Sequence, residues 1–262
     1  MIIRHIWLLP IFAASLAVIG MFCGYIIGTS VNHFHPILPF ISDGGGKVPE
    51  AAVFSQILNF AGFLYIITIY ILYRETFDYY RKCLNWNKTI WWYATIALSI
   101  LGLLSAFGLT MVANFRSTEI KVVHKIAALL CFSSMVIYGW GHIIFGYAVV
   151  PRLVPLVMLH LRLLIMCFTT CCLILYFLAV FTPTFYPNDA GPFPGIHRYS
   201  RSRDSPTYRT FIIASSSEWG MVLAIQVFVM SLAMELRNCY GYASRIIFEH
   251  DEAEKKKMEL YS

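Results

Sequence analysis

Charge is what this sequence has least of. Asp, Glu, Lys and Arg make up 13% of its 262 residues, while apolar residues make up 58% and aromatics 16%. A soluble globular domain carries about a quarter charged residues, so a water-soluble fold is excluded. Strand-like alternation is also missing, which excludes an outer-membrane β-barrel. No loop carries a cysteine pair. Five of the seven cysteines (Cys23, Cys131, Cys167, Cys171 and Cys172) lie inside apolar blocks as small packing residues. Neither a disulfide framework nor a zinc site is therefore expected. Cys83 and Cys239 sit beside helix ends and read as ordinary free thiols, with palmitoylation as the sharper alternative. Internal repeats are absent. The one glycine run, Gly44–Gly46, lacks the Walker spacing and follows no strand, so it is no nucleotide loop.

What the chain does have is six long apolar blocks, approximately Ile6–Ser30, Ala52–Tyr73, Ile90–Val112, Ile120–Tyr147, Leu161–Phe181 and Phe211–Leu236. A bilayer core of about 30 Å needs about 20 apolar residues in helical form, and each block supplies them. The expected fold is an all-α membrane protein, a six-transmembrane-helix bundle over residues 1–240 followed by a charged tail over 241–262. The first block is longer than the usual signal-peptide core of about 7–15 residues and has no clear cleavage site, so it reads as a retained helix.

Orientation follows from Lys and Arg, which collect on the cytoplasmic side. With the N-terminus inside, twelve fall on the cytoplasmic side and eight outside, so both termini are expected in the cytoplasm. The last outer loop, Thr182–Thr210, dissents with four arginines, and its five prolines mark an extended connection. The sequon Asn87-Lys88-Thr89 then lies in a cytoplasmic loop and is not used. The tail, with Lys255–Lys257 adjacent, reads as a short solvated helix; three lysines fall short of the about four to eight that read as a lipid-binding cluster.

Ionisable groups at membrane depth are costly and so are functional candidates. Asn59 and Glu218 each lie about 10 Å inside their helices from the outer side. Asn114 ends the third helix there, His124 and Lys125 begin the fourth, and Asp43 and Glu50 come from the first outer loop. Asp43, Glu50, Asn59, Asn114, His124 and Glu218 are therefore expected at one depth, facing one another in a polar cavity of the non-cytoplasmic leaflet. Such a cavity would admit a lipid or glycolipid head group. The bland alternative is a hydrogen-bonded core that fixes packing and binds nothing, and for Glu218 with His124 the two readings stand even. Ser215–Ser217 read as small packing residues, and His142 and His160 as satisfied or interfacial histidines. In the loop, three glycines suit a tight turn with positive φ, Asp43 suits an Asx-type turn accepting from the amides that follow it, and Pro49 with Glu50 suits the start of the second helix.

At this loop the sequence resembles the Frag/DRAM/Sfk family of six-span membrane proteins. The matching residues are His35-Pro36-Ile37-Leu38-Pro39-Phe40-Ile41-Ser42-Asp43, Pro49-Glu50, Asn59-Phe60, Gly108 through Phe115, Val123-His124, His160-Leu161-Arg162 and Ser217-Glu218-Trp219. The polar positions chosen by depth are also motif positions, with Ser42, Pro49, Phe115, Arg162 and Trp219 as supporting ones. The spacing looks closest to the DRAM branch, the damage-regulated autophagy modulators, although the long last outer loop and Gly44–Gly46 depart from it. The resemblance implies a multi-pass protein of lysosomal or endosomal membranes that modulates autophagy. Other branches imply maturation of glycosylphosphatidylinositol anchors in Golgi or ER membranes, or lipid organisation and phosphoinositide regulation at the plasma membrane. The expected partners are membrane lipids and membrane proteins, with no nucleic acid, cofactor or metal ion. An enzyme acting on glycolipid anchors, with His124 and Glu218 as acid and base, is the rival. A channel ranks below both, because helices one, three and five offer no polar path across both leaflets.

Overall fold

The computed structural model describes residues 2–3, 5–84, 89–150, 152–188, 204–237 and 241–242. Six helices are long and apolar enough to cross a membrane. They are α1 (Leu8–Ser30), α2 (Glu50–Leu84), α3 (Ile90–Asn114), α4 (Lys121–Ala148), α5 (Leu156–Phe181) and α6 (Tyr208–Ser231), the last continued past a break at Leu232 by α7 (Ala233–Leu236). In hydrocarbon every backbone amide must find its partner within the segment, which leaves the helix as the only form open to runs of this composition. Phe12, Phe60, Phe63, Phe107 and Leu164 each turn more than half of their surface outward. Such a surface suits lipid and would aggregate in water.

Each helix packs on the next, and α6 returns to α1, so the six close into a ring. Two-residue strands, β1 (Ile2–Ile3) and β2 (Gly241–Tyr242), pair antiparallel and tie the segment before α1 to the segment after α7. Residues 2–3 and 241–242 therefore lie on one side of the bundle. The side chains of Cys83 and Lys82, the Asn87 sequon, Cys239, the proline-rich stretch 189–203 and the Lys255–Lys257 tail lie outside the described residues.

Two elements outrun the apolar blocks that predict them. α2 continues to Leu84, and its 35 residues span about 52 Å at about 1.5 Å each, well beyond the bilayer core. α5 begins at Leu156, before the block expected from Leu161, and so takes His160 into the helix.

At the end away from the termini, a short 3-10 turn (Ile41–Gly45) sits against α1. A Cβ on Gly24 would lie 2.9 Å from the Gly44 carbonyl oxygen, and one on Gly44 would lie 2.9 Å from the Gly24 carbonyl carbon. Backbone meets backbone here, which only glycine on both sides allows. The loop glycines thus serve close approach; no positive φ is found at Gly44–Gly46.

Candidate functional site

The ring encloses a cavity of about 490 Å³ at the end away from the termini. Part of its wall is apolar: Met21 of α1, Phe54 and Leu58 of α2, Leu109 of α3, Phe132 of α4 and Val222 of α6 all line it. Its polar lining comes from Ser42 and Asp43 of the 3-10 turn, Ser117 and Thr118 of the α3–α4 link, Lys121, His124 and Lys125 of α4, Tyr176 of α5, and Glu218 and Gln226 of α6. Gln226 lies eight residues beyond Glu218 on the same helix, so the polar lining reaches about 12 Å further toward mid-bilayer. Gln226 accepts a hydrogen bond from the buried Tyr65 hydroxyl, which fixes its carboxamide in an apolar setting.

The loop over the cavity is held from several directions. The Phe40 amide donates to Asp43 Oδ2 at 3.0 Å, and the Asp43 amide donates to the Phe40 carbonyl at 3.0 Å. Asp43 thus accepts from the residue three before it, forming a capping box at the start of the 3-10 turn. The Ile41 amide donates to Glu218 Oε2 at 2.9 Å. Trp219 Nε1 donates to the Pro39 carbonyl at 2.8 Å, and the Tyr25 hydroxyl to the Pro36 carbonyl at 2.8 Å. From the far wall, Thr118 Oγ1 donates to the Gly46 carbonyl at 2.6 Å. Glu218 is therefore an interior carboxylate (4% exposed) that anchors the loop by one oxygen. His124 Nδ1 donates to the Phe115 carbonyl at 2.7 Å, which orients the ring and leaves Nε2 as its remaining nitrogen. Phe115 serves through its backbone. Among the described residues, no hydrogen bond or ion pair joins His124 to Glu218.

The six residues expected around one cavity are divided among three places. Asp43, His124 and Glu218 line the cavity. Asn59 and Asn114 bond each other reciprocally, at 3.0 and 2.9 Å, outside it on the α2–α3 seam; Asn114 also donates to the Thr110 carbonyl at 2.7 Å. Equal depth is shared here without a shared azimuth, and two carboxamides on one seam satisfy each other most cheaply. Glu50 is fully buried at the start of α2, where its Oε1 lies 2.6 Å from His33 Nδ1. Pro49, whose peptide with Val48 is cis, precedes it and accepts from the Ala52 amide. Of the supporting positions, Ser42 lines the cavity and Trp219 braces the loop.

Sequence reasoning passed over Lys121, Lys125 and Gln226 as lining residues, and His33 as a partner. The signal for the lysines was present: both stand one helical turn apart on α4, flanking His124. A second polar cluster was missed outright. Near the end that carries the termini, the fully buried Arg162 donates to Glu235 Oε1 at 2.9 Å, to Ser231 Oγ at 2.8 Å and to the Ser231 carbonyl at 2.9 Å. His142 Nδ1 stands 3.8 Å from the same Glu235 oxygen, and the guanidinium lies 5.8 Å from the Phe228 ring centroid. Arg162, named above as a motif-supporting position, is thus an interior strut linking α5 to α6 and α7. His142 belongs to this cluster.

Comparison with known proteins follows the same outline. Residues 5–239 match the profile of the Frag1/DRAM/Sfk1/Cwh43P N-terminal domain. DNA damage-regulated autophagy modulator protein 2 of Mus musculus is 28% identical over 197 residues, 75% of this chain and 71% of that protein. DNA damage-regulated autophagy modulator protein 1 of Homo sapiens is 29% identical over 163 residues, 62% of this chain and 67% of that protein. The modulator of macroautophagy TMEM150B of Danio rerio is 29% identical over 135 residues, 51% of this chain and 54% of that protein. No solved structure matches.

Proposed function

The chain belongs to the Frag1/DRAM/Sfk1/Cwh43P N-terminal domain family, and from that membership and the geometry above we propose that it modulates autophagy as a multi-pass membrane protein that holds a lipid head group in its cavity. The autophagy modulators among its relatives support the process. The observation that carries the lipid reading is the cavity itself: about 490 Å³, lined by apolar Met21, Phe54, Leu58, Leu109, Phe132 and Val222 together with Asp43, Lys121, His124, Lys125 and Glu218. A head group of mixed charge above an acyl chain has that polarity profile. The Lys and Arg bias supports cytosolic termini, which puts the cavity in the lumenal leaflet. Lysosomal or endosomal membranes are the proposed location.

The anchor-remodelling enzyme gains less support. His124 is engaged by a backbone carbonyl and Glu218 by a backbone amide, an arrangement that builds a wall rather than an acid–base pair.

The experiment is lipid profiling of the purified chain beside Glu218→Gln, with autophagic flux measured in cells carrying each. Glu218→Gln is expected to loosen the loop anchored at Ile41, reduce co-purified lipid several-fold and lower flux. An unchanged lipid profile with unchanged flux would reject the proposal.

A further inference from the structure

The cavity has a neighbour. A narrow cleft lined by Leu129, Leu173, Phe177 and Phe181 lies between α4 and α5, and it shares Lys125, Ala128, Phe132 and Tyr176 with the main cavity. The two spaces therefore meet behind Lys125. The cleft's outer wall faces the membrane, since Leu129 and Phe177 are both more than 40% exposed. It also follows the seam where consecutive helices meet least: α4 contacts α5 far more sparsely than it contacts α3, and α5 is held chiefly by α6. Deeper in the bundle the two helices are joined by a hydrogen bond from Trp140 Nε1 to Thr170 Oγ1 at 2.9 Å.

From this continuity we propose that the α4–α5 seam is the lateral portal of the cavity, through which a glycerophospholipid of the surrounding leaflet inserts, its phosphate meeting Lys121 and Lys125 and one acyl chain lying in the Leu129–Leu173–Phe177 cleft. The argument is one of charge and continuity. Lys121 and Lys125 supply ammonium groups at the head of an apolar cleft, which is where a phosphate attached to a chain in that cleft arrives. Two other seams that border the cavity are closed: Gly108 lies against Cys131 where α3 crosses α4, and on the α6–α1 seam the Trp219 ring packs on Phe22 and Tyr25. As it stands the cleft holds about 10 Å³, so an arriving chain must part α4 from α5. Their sparse contact makes that seam cheaper to open than α3–α4 or α5–α6.

This portal rests on the lipid reading above, and one experiment separates the two. The full chain is reconstituted in nanodiscs containing a phosphatidylglycerol or a phosphatidylcholine with a diazirine in one acyl chain, or a diacylglycerol with the same diazirine, and adducts are mapped by mass spectrometry. The phospholipid probes are expected to label Ile126–Phe132 and Leu173–Phe181 several-fold above outward-facing Phe12 and Phe63. The headless diacylglycerol, and either phospholipid with the K121Q/K125Q variant, are expected to lose that excess. Even labelling around the bundle, or equal labelling by diacylglycerol, overturns the portal. Labelling concentrated on another seam, with phospholipid still co-purifying, overturns the portal and leaves the cavity reading standing. Absence of any retained lipid overturns both. Because the wild-type map needs no substitution, misfolding of the lysine variant does not blur the result.

Discussion

Replacing Arg162 by Met is expected to be among the most destabilising single changes in the bundle. The guanidinium is fully buried and makes three hydrogen bonds, one to Glu235 and two to Ser231. Met matches much of its length but leaves Glu235, itself only 9% exposed, as a buried carboxylate that has lost its guanidinium, with His142 3.8 Å away. Removing one member of a buried ion pair costs about 3–5 kcal/mol, because the charge left behind has lost both water and partner. The two lost bonds to Ser231 add about 1 kcal/mol each at most, partly offset where the Ser231 hydroxyl keeps its own bond to Phe228. A loss of about 4 kcal/mol is therefore expected. The second arm is R162M/E235L, which removes both charges. If the cost comes from the orphaned carboxylate, the double variant recovers about 2–3 kcal/mol relative to R162M alone. Unfolding of the purified chain, followed by SDS titration of helicity in mixed micelles, gives both numbers. A single variant within about 1 kcal/mol of wild type, or a double variant as unstable as the sum of the two singles, would refute the assignment of Arg162 as a buried strut.

Other expectations follow from local geometry. Gly24→Ala places a methyl 2.9 Å from both the Gly44 carbonyl oxygen and the Phe54 ring, so it should cost about 1–3 kcal/mol of overpacking and displace the loop over the cavity; a melting midpoint equal to wild type, with unchanged protease resistance of the loop, would argue against the contact. Asn59→Leu removes both bonds to Asn114, which keeps its bond to the Thr110 carbonyl, and should cost about 0.6–1.7 kcal/mol. Because the pair lies outside the cavity, the same substitution should leave the co-purified lipid profile unchanged, and a changed profile would move Asn59 back to the cavity.

The three polar sites differ in how plainly the chain announces them. Asp43, His124 and Glu218 were legible because a charged or titratable group at membrane depth must be compensated, and depth can be counted along a helix from its first residue. What counting gives is height, not direction. Asn59 stands at nearly the same height as Glu218 yet points to the α2–α3 seam, since a helical residue's azimuth turns about 100° per position and the rotation of the whole helix is set by packing. The role of Arg162 was illegible for a related reason. A basic residue one position inside an apolar block counts only toward the charge on its side of the membrane until α6 and α7 bring Ser231 and Glu235 beside it.

By itself, the chain's composition and block length settled that it spans a membrane six times as helices, because hydrocarbon leaves an apolar segment of that length no other hydrogen-bonded form. Which polar groups face one another was decided only by the ring closure of α6 on α1, by the Gly24–Gly44 contact that seats the loop, and by the loose meeting of α4 with α5. Those are relations between surfaces far apart in the chain. Hydropathy is a sum over neighbours in sequence, whereas a cavity is made by what close packing fails to fill.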